Sequence, residues 1–542
     1  MISSLALRTT RDGSVSETVF APGNITVIVG PNNAGKSLLL REINEKVGNP
    51  AISGKILVDC KIGPTSVLSL RRMFPPPGSD TPVTFRNFTT GGGSGINPES
   101  LRRLHSEEQP NFTEFEAALR HIGRVFIAGP DRYRLIQTQP IGTFKQPPSN
   151  PFQYLLTQVS LRRRLSSMFE EAFHRHLLID PTEGHLQLVT SDVDLPDHSL
   201  EYSFGPTAVE FFKNCSPLDQ MSDGVKAYTS LLIAVLTSFR QLFLIDEPEA
   251  FLHPVLVNRL GRHLATLAAE QGGTVIAATH SAEFLFGAIQ AGCPVSVVRL
   301  TYDGQAGTSR VLDHNEIRTL MRDPLLRSTG TLAALFYEGA IVCEGDSDRV
   351  FYQEIHERLS KADGSGSGNS IFLQGYGWQR IARIVRPLRN LGIPAAAIVD
   401  LDTLFKEEFA DLMSACSVPE ASIKGFGQIR GEIKGQIKRQ GVDYKTLGIS
   451  CIGSGSREAA EQLLGNLREY GIFVVPVGEV ECWLRGLNVR VNKADWAAAM
   501  LDRLGADDAP GTEAQPGSGD VWAFVRSVAQ WLRARHRKGM PA

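Results

Sequence analysis

The run Ile25-Thr-Val-Ile-Val-Gly30 leads directly into Pro31-Asn32-Asn33-Ala34-Gly35-Lys36-Ser37. Glycines at 30 and 35 permit a tight loop whose backbone N–H groups, with those of Asn32 and Asn33, can face a polyphosphate. The stretch from Leu38 then opens a helix whose N-terminus points at the same charge. In such a loop Lys36 reaches the β- and γ-phosphates and Ser37 ligates Mg²⁺. A second apolar run, Gln241-Leu-Phe-Leu-Ile245, ends in Asp246-Glu247-Pro248. That order puts Asp246 near the Mg²⁺ and leaves Glu247 as a base able to activate water. A third, Thr274-Val-Ile-Ala-Ala-Thr279, ends in His280-Ser281. Upstream, Ser222-Asp223-Gly224 precedes a helical pattern, so Ser222 and Gly224 can offer donors to a further phosphate.

A second constellation consists of carboxylates. Ala340-Ile-Val-Cys343 is followed by Glu344-Gly345-Asp346-Ser347-Asp348, and Pro394-Ala-Ala-Ala-Ile-Val399 by Asp400 and Asp402. Glu479 and Glu481 follow the apolar run Ile472-Phe-Val-Val475, and Lys493 lies further on. Asp346 reads as either a ligand or a helix cap. Acids spaced by two in extended chain face one way. Glu344, Asp348, Asp400, Asp402, Glu479 and Glu481 on one edge would repel one another and a phosphodiester. Divalent cations resolve both problems, and an all-oxygen set favours Mg²⁺ or Mn²⁺ over zinc. Two such ions can activate water and stabilise the leaving oxygen of an in-line displacement.

These motifs need two bodies to carry them. At 542 residues the chain exceeds one hydrophobic core, and 42% hydrophobic with 21% charged residues excludes wholesale disorder. All five tryptophans lie beyond residue 340, as if two differently built halves were joined. The pattern predicts α/β structure over about 1–60, 205–300 and 340–500. The loop-rich stretches Phe74-Pro-Pro-Pro-Gly78 and Gly91-Gly-Gly-Ser-Gly95 fall between the first two. So does a basic helical piece over 151–178 containing Arg162-Arg163-Arg164. Asp363-Gly-Ser-Gly-Ser-Gly-Asn369 reads as a flexible loop, and a last amphipathic helix is expected over 521–535. Seven scattered cysteines offer no CxxC zinc pair and read as reduced thiols. No stretch approaches a membrane span and the start does not read as a signal peptide, so a cytoplasmic location is expected.

The nucleotide motifs resemble the ABC-type ATPase head of the SMC and DNA-repair branch. The resemblance makes Ser222-Asp-Gly224 the signature loop, Asp246-Glu247 the Walker B pair and His280 the switch histidine, and implies ATP sandwiched between two heads of a homodimer. Ser-Asp-Gly-Val-Lys stands where transporters carry Ser-Gly-Gly-Gln. Gln137 and Gln139 are candidates for the glutamine loop. Glu344-Gly followed by Asp400-x-Asp402 resembles a Rossmann-like TOPRIM domain. An ABC-type head followed by TOPRIM is similar to the OLD (overcoming lysogenization defect) family of ATP-dependent endonucleases, to which the Gabija nuclease subunit is related.

That resemblance implies an ATPase head over 1–335, with an inserted helical dimerisation region at about 145–200, and a TOPRIM nuclease domain with a C-terminal helical extension over 336–542. It implies ATP and Mg²⁺ (or Mn²⁺) as cofactors, metal ligands at the six acids above, and Lys493 steadying charge on the scissile phosphate. It also implies a role in anti-phage defence and leaves room for a separately encoded defence partner. DNA is the expected substrate, RNA such as tRNA or a non-cleaving SMC-type clamp the alternatives. With a formal charge of −2, nucleic acid must meet local patches. Residues 424–445, with Lys424, Arg430, Lys434, Lys438, Arg439 and Lys445 against Glu432 and Asp443, are one such patch.

Overall fold

The computed structural model describes residues 2–11, 14–62, 71, 76, 83–86, 93–106, 115, 120, 123–145, 148–237, 242–328, 330–505 and 515–541. Most of the Phe74–Gly78 stretch and part of the Gly91–Gly95 run lie outside them. The chain divides into two compact units, Met1–Arg318 and Thr319–Ala542. The division falls before the 335/336 boundary expected from sequence. The turn Thr331–Phe336 buries Thr331, Leu332, Ala334 and Leu335 against strand Ser370–Gln374 and helix Trp378–Asn390, so the connector belongs to the second unit.

The first unit is built on a six-stranded sheet in the order Gly307–Leu312, Val295–Tyr302, Ile25–Val29, Thr274–Ala278, Leu242–Asp246, Arg124–Ile127. Every pairing is parallel except that of Gly307–Leu312. Strand Ile25–Val29 is buried throughout, as its continuous β-branched run requires between two covering layers. Gly30 and Gly35 both have positive φ. A Cβ at Gly30 would collide with the Leu300 carbonyl, and one at Gly35 would lie 2.6 Å from Ile56 Cδ1. The loop is therefore glycine-dependent twice over.

The expected helical insert is α-helical only as far as Phe173. Helices Pro151–Thr157 and Val159–Phe173 lead into an antiparallel hairpin, His176–Asp180 with His185–Ser191. The basic triplet is partly internal: Arg162 reaches buried Glu201 at 3.1 Å, and Arg164 reaches Glu270 at 2.8 Å.

The second unit carries a parallel sheet in the order Ser370–Gln374, Gly339–Cys343, Ala395–Val399, Ile472–Val474. The skewed tryptophan content is explained by its core, where Trp483, Trp496, Trp522 and Trp531 pack with Phe351, Tyr352 and Phe524. The indole of Trp483 donates to the Tyr352 hydroxyl at 2.9 Å. The last helix, Asp520–Arg533, packs on helix Asp346–Asp363. Segment 363–369 is tethered rather than free: Asp363 accepts from Arg526 at 2.8 Å, and Ser367 pairs with His356 at 2.7 Å.

Arg389 fastens the C-terminal segment to this sheet. It is fully buried and donates to the carbonyls of Ala395, Cys416, Tyr470 and Gly539 at 2.6–3.1 Å, with its guanidinium over the Trp531 ring. Removing it leaves buried carbonyls without donors. Arg389→Ala is expected to destabilise the protein by on the order of 3 kcal/mol in a urea titration. A midpoint unchanged from the parent would contradict this role.

Candidate nucleotide and carboxylate sites

In the first unit the motif residues follow the carboxyl ends of three neighbouring strands, the edge where α/β sheets hold ligands. Ser37 Oγ donates to Asp246 Oδ1 at 2.9 Å, so hydroxyl and carboxylate already sit as a shared Mg²⁺ would need them. Burial holds the Asp246 carboxyl above its ordinary range, and the bond from Ser37 opposes that shift. Lys36 is buried and donates to the carbonyls of Gly30 and Pro31, each at 2.8 Å. Burial pushes its ammonium down to about 8 against the pull of Glu249, Glu247 and Asp246. Asn32 and Asn33 are exposed on the loop. Glu247 and His280 are both exposed and face each other, Oε1 to Nε2, at 3.9 Å.

Ser222 caps helix Asp223–Leu236 by position, without a side-chain bond. Gly224 passes so close to the Phe251 carbonyl that a Cβ would lie 2.6 Å from it. Of the glutamine candidates, Gln139 lies on strand Gln139–Pro140, which pairs with the 185–191 strand, and its side-chain amide donates to the Gln137 carbonyl. Two residues at this site have no local motif. Arg132 donates to the carbonyls of Asp246 and Glu247. Glu249 accepts from Thr279 Oγ1 at 2.7 Å and from the His280 N–H at 2.6 Å, fixing the histidine segment.

In the second unit the six acids lie at or beyond the carboxyl edge of one parallel sheet. Glu344 ends the Gly339–Cys343 strand, and its Oε1 accepts from the Asp400 N–H at 2.9 Å and the Thr403 hydroxyl at 2.7 Å. Asp348 turns back to accept from the Gly345 N–H at 2.8 Å. Asp346 pairs with Arg349 at the surface, 2.8 Å away, as a helix-terminal acid. Burial, then the neighbouring carboxylates, pushes Glu344 up to about 7 and Asp400 up to about 9. Burial also raises Asp348 and Glu481. Asp400 feels Glu344, Asp348 and Glu479, so these groups form one electrostatic system.

Lysines occupy its rim. Lys445 bridges Asp402 at 3.2 Å and Glu479 at 3.3 Å, and Lys493 holds Glu479 at 2.7 Å and Glu481 at 3.8 Å. Among the described residues, no three His, Cys, Asp or Glu side chains stand arranged to hold one ion. Lysine ammonium groups stand between the acids. The donor set nonetheless fits a divalent cation. It consists of oxygen ligands alone, and Glu481 Oε2 is buried with no hydrogen-bond partner.

The basic 424–445 segment is largely helix Glu420–Gln440. Arg430 donates to the carbonyls of Leu404 and Lys406, and Lys434 to that of Phe405 at 2.8 Å. These bonds hold the turn after Asp402, while Lys434, Lys438 and Arg439 remain exposed. Lys424 pairs with Glu420 at the surface.

Two family models match the chain. One, described as AAA domain, putative AbiEii toxin, Type IV TA system, covers residues 210–285. The other, Overcoming lysogenization defect protein-like, TOPRIM domain, covers residues 335–402 and so includes Glu344, Asp348, Asp400 and Asp402. The Old nuclease of Escherichia phage P2 is 23% identical over 256 residues, 44% of this chain and 42% of that protein. The chain thus spans less than half the length of that relative. The OLD nuclease of Thermus scotoductus is 24% identical over 446 residues, 72% of this chain and 80% of its own. Solved structures that are similar include an SMC head bound to the C-winged helix domain of ScpA, at 16% identity, covering 59% of this chain and 99% of that one, TM-score 0.33. Another is the SMC head domain from Thermotoga maritima, at 13% identity, 58% and 98% coverage, TM-score 0.28.

Fold, motifs and matched models define a P-loop ATPase unit joined to a TOPRIM unit. Together with the two relatives, they support placing the chain in the OLD family of ATPase–TOPRIM proteins.

The raised carboxyl groups fix the sign of a pH effect. Glu344 and Asp400 bind protons more tightly folded than unfolded, so ionising them as pH rises through about 7 to 9 costs stability. A divalent cation returns that cost and displaces protons. Without nucleotide, Mg²⁺ should therefore raise the melting temperature more at about pH 8.5 than at about pH 6, and Asp400→Asn should remove most of the difference. Equal Mg²⁺ shifts at both pH values would contradict the site.

Proposed function

We propose that this protein is a metal-dependent DNA endonuclease whose cutting is governed by ATP binding and hydrolysis in its P-loop unit, acting as a homodimer in anti-phage defence. The observation that carries the reading is the gathering of Glu344, Asp348, Asp400, Asp402, Glu479 and Glu481 at one sheet edge, rimmed by Lys445 and Lys493. The matched TOPRIM model and the two relatives named as nucleases support it.

Mg²⁺ or Mn²⁺ held by these acids would polarise the phosphate and activate water. The chain's own groups do the rest. Thr403 and the Asp400 N–H hold one Glu344 oxygen in place, so the carboxylate keeps its orientation as its proton is lost. Lys445 and Lys493, which pair with Asp402 and Glu479, would be free to neutralise the scissile phosphate if those acids held a cation instead. In the P-loop unit, Lys36 would turn from the Gly30 and Pro31 carbonyls to the phosphates, Ser37 and Asp246 would hold Mg²⁺, and Glu247 would take a proton from water beside His280. The described residues contain no helix long and apolar enough to cross a membrane.

Supercoiled plasmid and structured RNA, incubated with Mg²⁺ or Mn²⁺ with and without ATP, test the reading. Glu344→Ala should lower plasmid cutting by on the order of 100-fold or more while sparing ATP hydrolysis. Lys36→Ala should abolish hydrolysis and alter cutting only through its regulation. Both variants cutting and hydrolysing like the parent would sink the assignment, and cleavage of RNA alone would redirect it to an RNA substrate.

A further inference from the structure

We infer that Arg132 is a positioning residue for ATP hydrolysis, fixing the backbone conformation from which the Glu247 carboxylate reaches water. The inference deepens the function proposed above and rests on its reading of Glu247 as the base. Glu247 has φ 51°, in the left-handed region that a non-glycine residue enters at a cost of roughly 1–2 kcal/mol. Something must hold it there.

Both peptide planes flanking its Cα are held. The plane before it is fixed on one side by the Glu247 N–H, which donates to the Ala278 carbonyl at 2.8 Å. It is fixed on the other by the Asp246 carbonyl, which accepts from Arg132 Nη2 at 2.5 Å. The plane after it is fixed by the Glu247 carbonyl, which accepts from the same Nη2 at 2.6 Å. With both planes held, φ and ψ at Glu247 follow. Pro248 adds a further constraint, since a residue before proline is disfavoured in the right-handed helical region. Freed from Arg132, Glu247 would relax to extended backbone and aim its carboxylate elsewhere.

The burial of Arg132 argues for a task beyond stability. Its side chain is only 2% exposed, and Nε and Nη1 are buried without hydrogen-bond partners. The negative groups that sustain its charge are Glu249, Glu247 and Asp246, all of the nucleotide site. Burying a guanidinium and using one nitrogen is a poor arrangement for holding a fold together. It suits a site that must keep one strained turn in place while the nucleotide changes around it.

ATP turnover and equilibrium ATP binding are to be measured on the full chain for Arg132→Ala, Arg132→Lys and Glu247→Gln, with melting curves for each. Arg132→Ala should lower kcat by about 100-fold while leaving the ATP dissociation constant within about twofold. Guanidinium ion added at millimolar concentration should restore at least about fivefold of that loss, which a merely structural defect would not allow. Arg132→Lys, whose shorter side chain holds its ammonium back from the two carbonyls that Nη2 reaches, should fall between parent and alanine. An unchanged kcat in the arginine variants beside an inactive Glu247→Gln overturns the inference alone. So does ATP affinity falling by the same factor as kcat, which would make Arg132 a phosphate ligand. Should Arg132→Ala not fold, the lysine variant decides: parental kcat overturns the inference, and a reduced kcat at parental affinity supports it. Glu247→Gln turning over like the parent instead removes the underlying reading of the base.

Discussion

The second unit is organised around negative charge that water cannot fully solvate. Parallel strands deliver Glu344, Asp400 and, past Val474, Glu479 to one edge, and helix Asp346–Asp363 adds Asp348 from its first turn. Burial and mutual repulsion act in the same direction on these carboxyls, which is why Glu344 and Asp400 resist ionisation. Two remedies are available to a protein: hold protons, or bring in positive charge. Both are visible in the raised carboxyl groups and in Lys445 and Lys493 placed between acids. Under the function proposed above, each would be displaced by a divalent cation, which would make the edge responsive instead of merely stable.

The first unit solves the opposite problem, holding positive charge where polyphosphate is expected. Lys36 is buried against two loop carbonyls, and Arg132 against the two carbonyls of the acidic turn. Neither cation makes a direct salt bridge to a carboxylate among the described contacts, though three acids lie within electrostatic range of both. Burial of the Lys36 ammonium costs free energy that an incoming polyphosphate would return, whereas Arg132 is spent on the backbone of the Asp246–Glu247 turn.

What could be read from sequence was what is local. Loop glycines, the strand-terminal acids and the order of the motifs are adjacent in the chain, and hydrophobic periodicity marks the strands that carry them. Gly30 and Gly35 are legible because only glycine tolerates that loop. Arg132, Glu249, Thr403 and the acid-bridging place of Lys445 escaped because each acts on residues that only the fold brings near. Lys445 reaches Asp402, and Arg132 reaches Asp246 from more than a hundred residues away. The hairpin over 176–191 was missed for another reason. Its short strands follow a strongly helical run without a proline between them, so the periodic signal continued past the true end at His174. In the basic helix 420–440, a charge count cannot see that Arg430 and Lys434 are tied to backbone carbonyls while Lys438 and Arg439 stay exposed.

The most direct test of the central constraint is anomalous diffraction from crystals of the nucleotide-free protein soaked in Mn²⁺. The account predicts a peak among the oxygens of Glu344, Asp348, Asp400, Asp402 and Glu479, with the Lys445 and Lys493 ammonium groups withdrawn from them. Full-occupancy Mn²⁺ elsewhere, with both lysines still bridging the acids, would contradict it.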